Sequence, residues 1–208
     1  MGCEMSIRSV FTVFSWTKEF LLLDIIAKSG CMTLSFGLES ISKESLISMN
    51  KAWANPNNYS EQLKIIRSFG IDVATEMIIG GDGDTLESIK ETAKFVSNNN
   101  IAIPRFYILT PIPGTKFHED MEKQGRIFNK DVYSYTTCEA VHIPKHMTPE
   151  ELTNAYWELY NEVYKIRNII KRTLITKQIF KKPLNCIFYF FSNVYYRSQI
   201  KRRIVPNG

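Results

Sequence analysis

Cysteine is sparse and scattered. The four thiols, Cys3, Cys31, Cys138 and Cys186, are far apart, so neither CxxC nor CxxxCxxC is present. That removes the usual zinc, iron–sulfur and dithiol spacings. Isolated thiols, with no signal peptide at the start of the sequence, lead to the expectation of a reducing cytoplasm. Phosphate-binding glycine patterns are missing too: neither GxGxxG nor GxxxxGK[ST] occurs. Histidine is limited to His118, His142 and His146. Spread over loops, these read as surface contacts rather than as a metal site. The longest apolar run near the end, Cys186-Ile187-Phe188-Tyr189-Phe190-Phe191, is far too short to span a bilayer. Met1-Gly2-Cys3-Glu4-Met5-Ser6 matches a myristoylation pattern with a palmitoylatable neighbour, a match short enough to arise by chance. Acid is missing from one end altogether. Residues 163–208 carry 11 Lys+Arg and no Asp or Glu, whereas residues 1–162 carry 15 Lys+Arg against 21 Asp+Glu. The overall charge of +5 hides this division, which marks the tail as a unit with an anionic partner or neighbour.

What is present reads as alternating strands and helices. In Cys31-Met32-Thr33-Leu34-Ser35-Phe36-Gly37-Leu38-Glu39-Ser40, period-two alternation puts Met32, Leu34, Phe36 and Leu38 on one face and Thr33, Ser35, Gly37 and Glu39 on the other. A helix from about Ser42, its N-cap, follows at once. Strand, polar loop and helix are the unit of an α/β protein, whose ligand sites lie at the C-terminal ends of strands. Glu39 is then a ligand-facing carboxylate or merely one favoured by the helix dipole. Two more strands are predicted at 71–79 and 101–109, and a weaker one at Ser9–Phe14. Helices are predicted at 18–28, 58–69, from Thr85, at 116–124, from Thr148 to about Arg172, and from Leu184 to Arg203. Gly30, Gly70 and Gly125 close three of them. Thr148-Pro149-Glu150-Glu151 is a capping box with proline at the first helical position. Strand–helix pairs recurring in this way imply right-handed crossovers and a parallel sheet, and three clear strands cannot close a barrel.

Several residues carry possible chemistry. Gly80-Gly81-Asp82-Gly83-Asp84, directly after a strand, is a backbone cradle or a tight turn. Arg105 and Tyr107 share a strand face, and a buried arginine needs an anion: Glu39, Glu76 or a ligand carboxylate. Thr110-Pro111-Ile112-Pro113-Gly114-Thr115 is a rigid loop at a strand end, holding substrate or only connecting. The basic, aromatic tail suits a membrane surface, a docking partner or plain solvation, and its spacing argues against specific nucleic-acid readout.

Taken in order, the motifs resemble one family. They are Ser29-Gly30-Cys31, Phe36-Gly37-Leu38-Glu39-Ser40-Ile41-Ser42, Met77-Ile78-Ile79-Gly80-Gly81 with Asp84-Thr85, Ile108 to Thr115, Gly125-Arg126-Ile127, and His146-Met147-Thr148-Pro149-Glu150-Glu151-Leu152. The set resembles the C-terminal half of radical SAM enzymes of the cobalamin-binding, anaerobic-cyclase-like group, over roughly residues 22–205. The resemblance implies an α/β fold, a partial (β/α) barrel followed by a helical C-terminal domain. It divides the chain into a poorly matching start (1–23), half of a barrel (24–147) and a basic helical domain (148–208). It also implies binding of S-adenosylmethionine. Glu39 and Ser40 would hold the ribose and amino-acid part, Ile79, Gly80 and Gly81 would border the adenine, and Arg105, Tyr107 and Thr110 would line the site. The family's CxxxCxxC for a 4Fe-4S cluster, its Gly-Gly-Glu segment and its cobalamin domain have no counterpart here. Cluster and cobalamin are therefore expected only in a full-length relative, and the chain is expected to be inactive alone. Its expected partners are an N-terminal half-barrel or a second copy, and an anionic membrane surface through 163–208.

Overall fold

The computed structural model describes residues 3–4 and 19–205. Four parallel strands, β1 (Cys3–Glu4), β2 (Thr33–Glu39), β3 (Asp72–Ile79) and β4 (Ile103–Ile108), form one sheet in the order β1-β2-β3-β4. β1 is a two-residue strand that the sequence pattern does not reveal; it pairs Cys3 with Leu34 and Glu4 with Ser35. The strand expected at Ser9–Phe14 lies outside the described residues. The helices are α1 (Glu19–Lys28), α2 (Lys43–Ser48), α3 (Tyr59–Ser68), α4 (Leu86–Asn98), α5 (Lys116–Lys123), α6 (Pro149–Val163), α7 (Ile166–Thr173) and α8 (Pro183–Lys201). The expected α/β class is what the chain adopts, and sequential neighbours in a parallel sheet are what βαβ crossovers produce.

Alternation sorts the two faces of the sheet. Leu34, Phe36 and Leu38 of β2, Val73, Met77 and Ile79 of β3, and Phe106 and Ile108 of β4 are buried in one core with Leu46, Tyr59, Leu63, Ile66, Ile89 and Val96 of the helices. Each such large side chain contributes about 1.5–3 kcal/mol by leaving water. The opposite face carries Ser35, Gly37, Glu76, Ile78, Arg105 and Tyr107, all partly exposed. The predicted caps at Ser42, Thr85 and Thr148 hold, each accepting a hydrogen bond from a backbone N–H of the first turn, and Thr148 and Glu151 form the expected reciprocal box. Thr115, not predicted as a cap, does the same for α5.

The long helix expected from Thr148 to Arg172 is two helices. The chain leaves the helical path at Lys165, whose φ of −58° and ψ of 140° are extended. Arginines satisfy the carbonyls left over at the end of α6. Buried Arg172 of α7 donates to Val163 O, and its guanidinium lies 4.7 Å over the Tyr164 ring. Arg197 of α8 donates to Tyr164 O at 2.7 Å.

Helix α6 also closes a sheet edge. Tyr160 Oη accepts from Phe106 N at 2.9 Å and donates to Phe106 O at 3.2 Å. Tyr164 Oη donates to Pro104 O at 2.8 Å, and Ile108 N donates to Thr137 O at 2.7 Å. Proline has no N–H to satisfy. The outward groups of β4 are thus capped by the chain itself, which removes that edge as a template for strand pairing. At the other end of the sheet, α8 crosses beneath the N-terminal ends of the strands. Tyr189 Oη donates to Met32 O at 3.2 Å, and Asn193 Nδ2 donates to Ala102 O at 3.0 Å.

Candidate functional site

Parallel strands bring three of the predicted segments to one end of the sheet. Glu39 ends β2 in the left-handed region, φ 65°. Its carboxylate pairs with Lys51, which lies just beyond α2. Ser40 is buried, and its Oγ accepts from Ser42 N at 3.0 Å, so the hydroxyl helps to turn the chain into α2. Beneath Glu39, Tyr59 Oη donates to Leu38 O at 3.0 Å. Burial and then the Glu39 charge push the Tyr59 phenol well above its usual pKa, which keeps it a donor. At the end of β4, Thr110 Oγ1 donates to Ile108 O at 2.9 Å.

Below these ends the open face carries an ionic row. The register aligns Gly37, Glu76 and Arg105 across β2, β3 and β4. Arg105 Nη2 is 2.9 Å from Glu76 Oε1 and 3.1 Å from Ser35 Oγ. Glu76 is therefore the internal anion that the arginine requires. Gly37 presents no side chain beside the pair, and Arg105 Nε is buried with no hydrogen-bond partner. Tyr107, opposite Ile78 in the register, is half-buried, and burial followed by the Glu76 charge raises its pKa.

The Gly-rich loop after β3 is committed to packing. Ile79 faces the helical core, so only its backbone reaches the strand end. Gly80 has φ 89°, and a Cβ there would meet Leu152 Cδ2 at 2.6 Å. A Cβ on Gly81 would meet Ser45 Cβ at 3.0 Å. Asp84 is buried and accepts from Gly81 N at 2.9 Å, closing the turn; burial raises its pKa against the hydrogen bonds that lower it. Asp82 faces outward to Arg126 at 2.7 Å and Lys145 at 2.8 Å. Partial burial raises the Asp82 pKa, but the hydrogen bonds from these two cations outweigh it and hold the carboxyl below its usual range.

Sequence reasoning missed His142. Expected at the surface, it is fully buried beside this loop, with Nε2 3.3 Å from Gly80 O. A carbonyl oxygen only accepts, so this contact requires the proton on Nε2, and Nδ1 is buried without a partner. His142 and His146 stand four residues apart, yet His142 is bridged antiparallel to Ile127 and His146 is exposed, so the two do not converge. Lys51, Arg126 and Lys145 also escaped prediction, because only the fold brings them to Glu39 and Asp82.

The donor set decides which groups the described residues suit. Among them no three His, Cys, Asp or Glu are placed to hold a metal. Cys31 and Cys186 are buried towards the N-terminal ends of the strands, away from Glu39, and Cys138 lies in the segment before α6. These residues do not fit a 4Fe-4S cluster. The open face suits a polar organic ligand better: Glu76 and Arg105 are partly exposed on it, and the Glu39 carboxylate stands at the strand end above them. A groove of about 880 Å³ lies elsewhere, between α4 and α6, lined by Ile89, Ala93, Ala155 and Leu159 among others, and none of the strand-end residues borders it.

The proteins that resemble this chain are methyltransferases and cyclases. It is 33% identical over 166 residues, 80% of its length, to bacteriochlorophyllide d C-12(1)-methyltransferase of Chlorobaculum tepidum, and 29% identical over 192 residues, 88% of its length, to bacteriochlorophyllide d C-8(2)-methyltransferase of the same organism. It is 25% identical over 143 residues, 69% of its length, to anaerobic magnesium-protoporphyrin IX monomethyl ester cyclase of Cereibacter sphaeroides. The matches cover 35%, 42% and 23% of those proteins, so the chain spans well under half of their lengths. No family model matches the chain. These relatives support the resemblance to the radical SAM superfamily and to its anaerobic-cyclase-like members.

Proposed function

We propose that the chain is the C-terminal part of a radical S-adenosylmethionine methyltransferase or cyclase and forms the S-adenosylmethionine and substrate side of its site. The observation that carries this reading is the open polar face of a parallel sheet, with Arg105, Glu76 and Ser35 below the Glu39 strand end. In it, Glu39 and Ser40 hold the ribose and amino-acid part, the backbone of Ile79, Gly80 and Gly81 borders the adenine, and Arg105, Tyr107 and Thr110 line the site. Bound S-adenosylmethionine would supply a sulfonium carbon to react. The chain's own residues bind and orient it. Lys51 fixes the Glu39 carboxylate, and Glu76 and Ser35 fix the Arg105 guanidinium on the open face. The 4Fe-4S cluster and cobalamin belong to a full-length relative, and this chain alone is inactive. A non-catalytic docking role is a second reading, favoured by the exposed stripe on α8 described below.

Equilibrium dialysis with labelled S-adenosylmethionine tests the binding half of the proposal. Saturable binding is expected, weakened about tenfold or more by Glu39→Gln or Arg105→Gln in chains whose circular dichroism is unchanged. Anaerobic reconstitution tests the other half. The expected outcome is no stoichiometric iron and no cleavage of S-adenosylmethionine under reducing conditions. A folded chain with no saturable binding would sink the first half; stoichiometric iron and sulfide would sink the second.

A further inference from the structure

Helix α8 carries two apolar faces. At about 100° per residue, Cys186, Tyr189, Asn193, Tyr196 and Ile200 fall on the side turned to the base of the sheet, where all are buried or half-buried. Leu184, Ile187, Phe188, Phe191 and Tyr195 fall within an arc of about 100° on the opposite side. All five are exposed, Phe188 by 58% and Phe191 by 64%. Just before the helix, Ile175 and Phe180 are 72% and 89% exposed. Cations frame the stripe: Lys177 and Lys181 before it, Lys201, Arg202 and Arg203 after it, all exposed. No acid occurs anywhere in 163–208.

We propose that the outer face of α8, with Ile175 and Phe180, docks in the plane of an anionic lipid surface. An exposed apolar and aromatic stripe framed by lysine and arginine is the pattern of an interfacial helix, whose rings enter the headgroup boundary while the cations meet anionic lipid. Among the described residues no helix is long and apolar enough to cross a membrane, so this one lies on the surface. Charge also separates the possible occupants. Lysine is depleted from protein interfaces, whereas three lysines flank this stripe. A nucleic-acid backbone would take the cations and leave five large apolar side chains in water.

The fold fixes the orientation. Because α8 bonds to Met32 O and Ala102 O, it lies beneath the N-terminal ends of the strands. Glu39, Gly80 and Thr110 lie at the other ends. Docking therefore points the strand C-terminal ends away from the bilayer. It anchors the protein and provides no path from the lipid into the open face. The inference stands independently of the reading of that face.

Flotation of the 208-residue chain with phosphatidylcholine vesicles, with and without phosphatidylglycerol as a third of the lipid, tests it. Partition onto the anionic vesicles is expected to exceed that onto neutral ones about tenfold or more and to fall as salt rises. Two sets of substitutions at exposed positions, Phe188→Ser with Phe191→Ser, and Lys201, Arg202 and Arg203→Gln, should each reduce it about tenfold. Circular dichroism and urea midpoints confirm that the variants remain folded. No partition by the folded chain, or partition unchanged in both folded variants, would overturn the proposal. So would self-association that Phe188→Ser with Phe191→Ser abolishes, which would assign the stripe to a second copy.

Discussion

Gly80 sits where a left-handed backbone and a leucine methyl leave no room for a side chain. Gly80→Ala places a Cβ against Leu152 at φ 89°, so a loss of about 2–3 kcal/mol is expected in urea unfolding. A loss under about 0.5 kcal/mol would show that Leu152 yields freely. His142, beside it, predicts a pH dependence. Burial is the largest influence and holds its pKa below that of an ordinary histidine; the bond to Gly80 and the Asp82 charge oppose this, and Arg126 reinforces it. The folded pKa thus lies below the unfolded one, and the unfolded chain binds more protons in the interval between them. Stability is fully present above about 6.5 and falls as pH drops through that interval, by at most about 1.4 kcal/mol per pH unit. His142→Gln should remove that slope from a series of urea midpoints, and an unchanged slope would place it elsewhere. The glycines were legible as a turn because their clustering is local. The buried histidine was not, since its burial depends on a loop returning to the sheet from 62 residues away.

Strands were the most legible elements. Period-two alternation in β2 and β4 is written into neighbouring residues, and so are the Thr85 and Thr148 caps. The break between α6 and α7 was hidden, because the apolar spacing runs through it and the arginines that satisfy the freed carbonyls arrive from α7 and α8. The sealing of β4 was hidden for a similar reason: Tyr160 reads as one more aromatic on a buried helical face, yet its hydroxyl satisfies both backbone groups of Phe106. Tyr160→Phe keeps the ring and leaves those groups buried and unpaired, at an expected cost of about 1–3 kcal/mol. Thr148→Ala, at a solvent-exposed cap, should cost about 1 kcal/mol. A Tyr160→Phe protein as stable as the parent in chemical denaturation would mean that water or another group reaches Phe106.

The charge division was legible at the scale of the whole molecule: it marked 163–208 as a unit, and the family resemblance led to the expectation of a helical domain starting at 148. Packing joins what charge divides. Leu152, Tyr156, Tyr160, Val163, Ile169 and Ile200 belong to the same core as Leu34, Met77 and Phe106, and α6 and α8 between them close one edge and the base of the sheet. A chain ending at residue 147 would lose the caps on Pro104 and Phe106 and expose the apolar face of α4 that α6 covers. At about 1.5–3 kcal/mol for each large side chain uncovered, that loss is comparable with the roughly 5–15 kcal/mol by which a domain is stable. Residues 1–147 alone are therefore expected to show no cooperative urea transition by circular dichroism, while the 208-residue chain shows one. A sharp transition in the shorter chain would establish the first 147 residues as a unit that folds by itself, with the basic helices docked on a finished sheet.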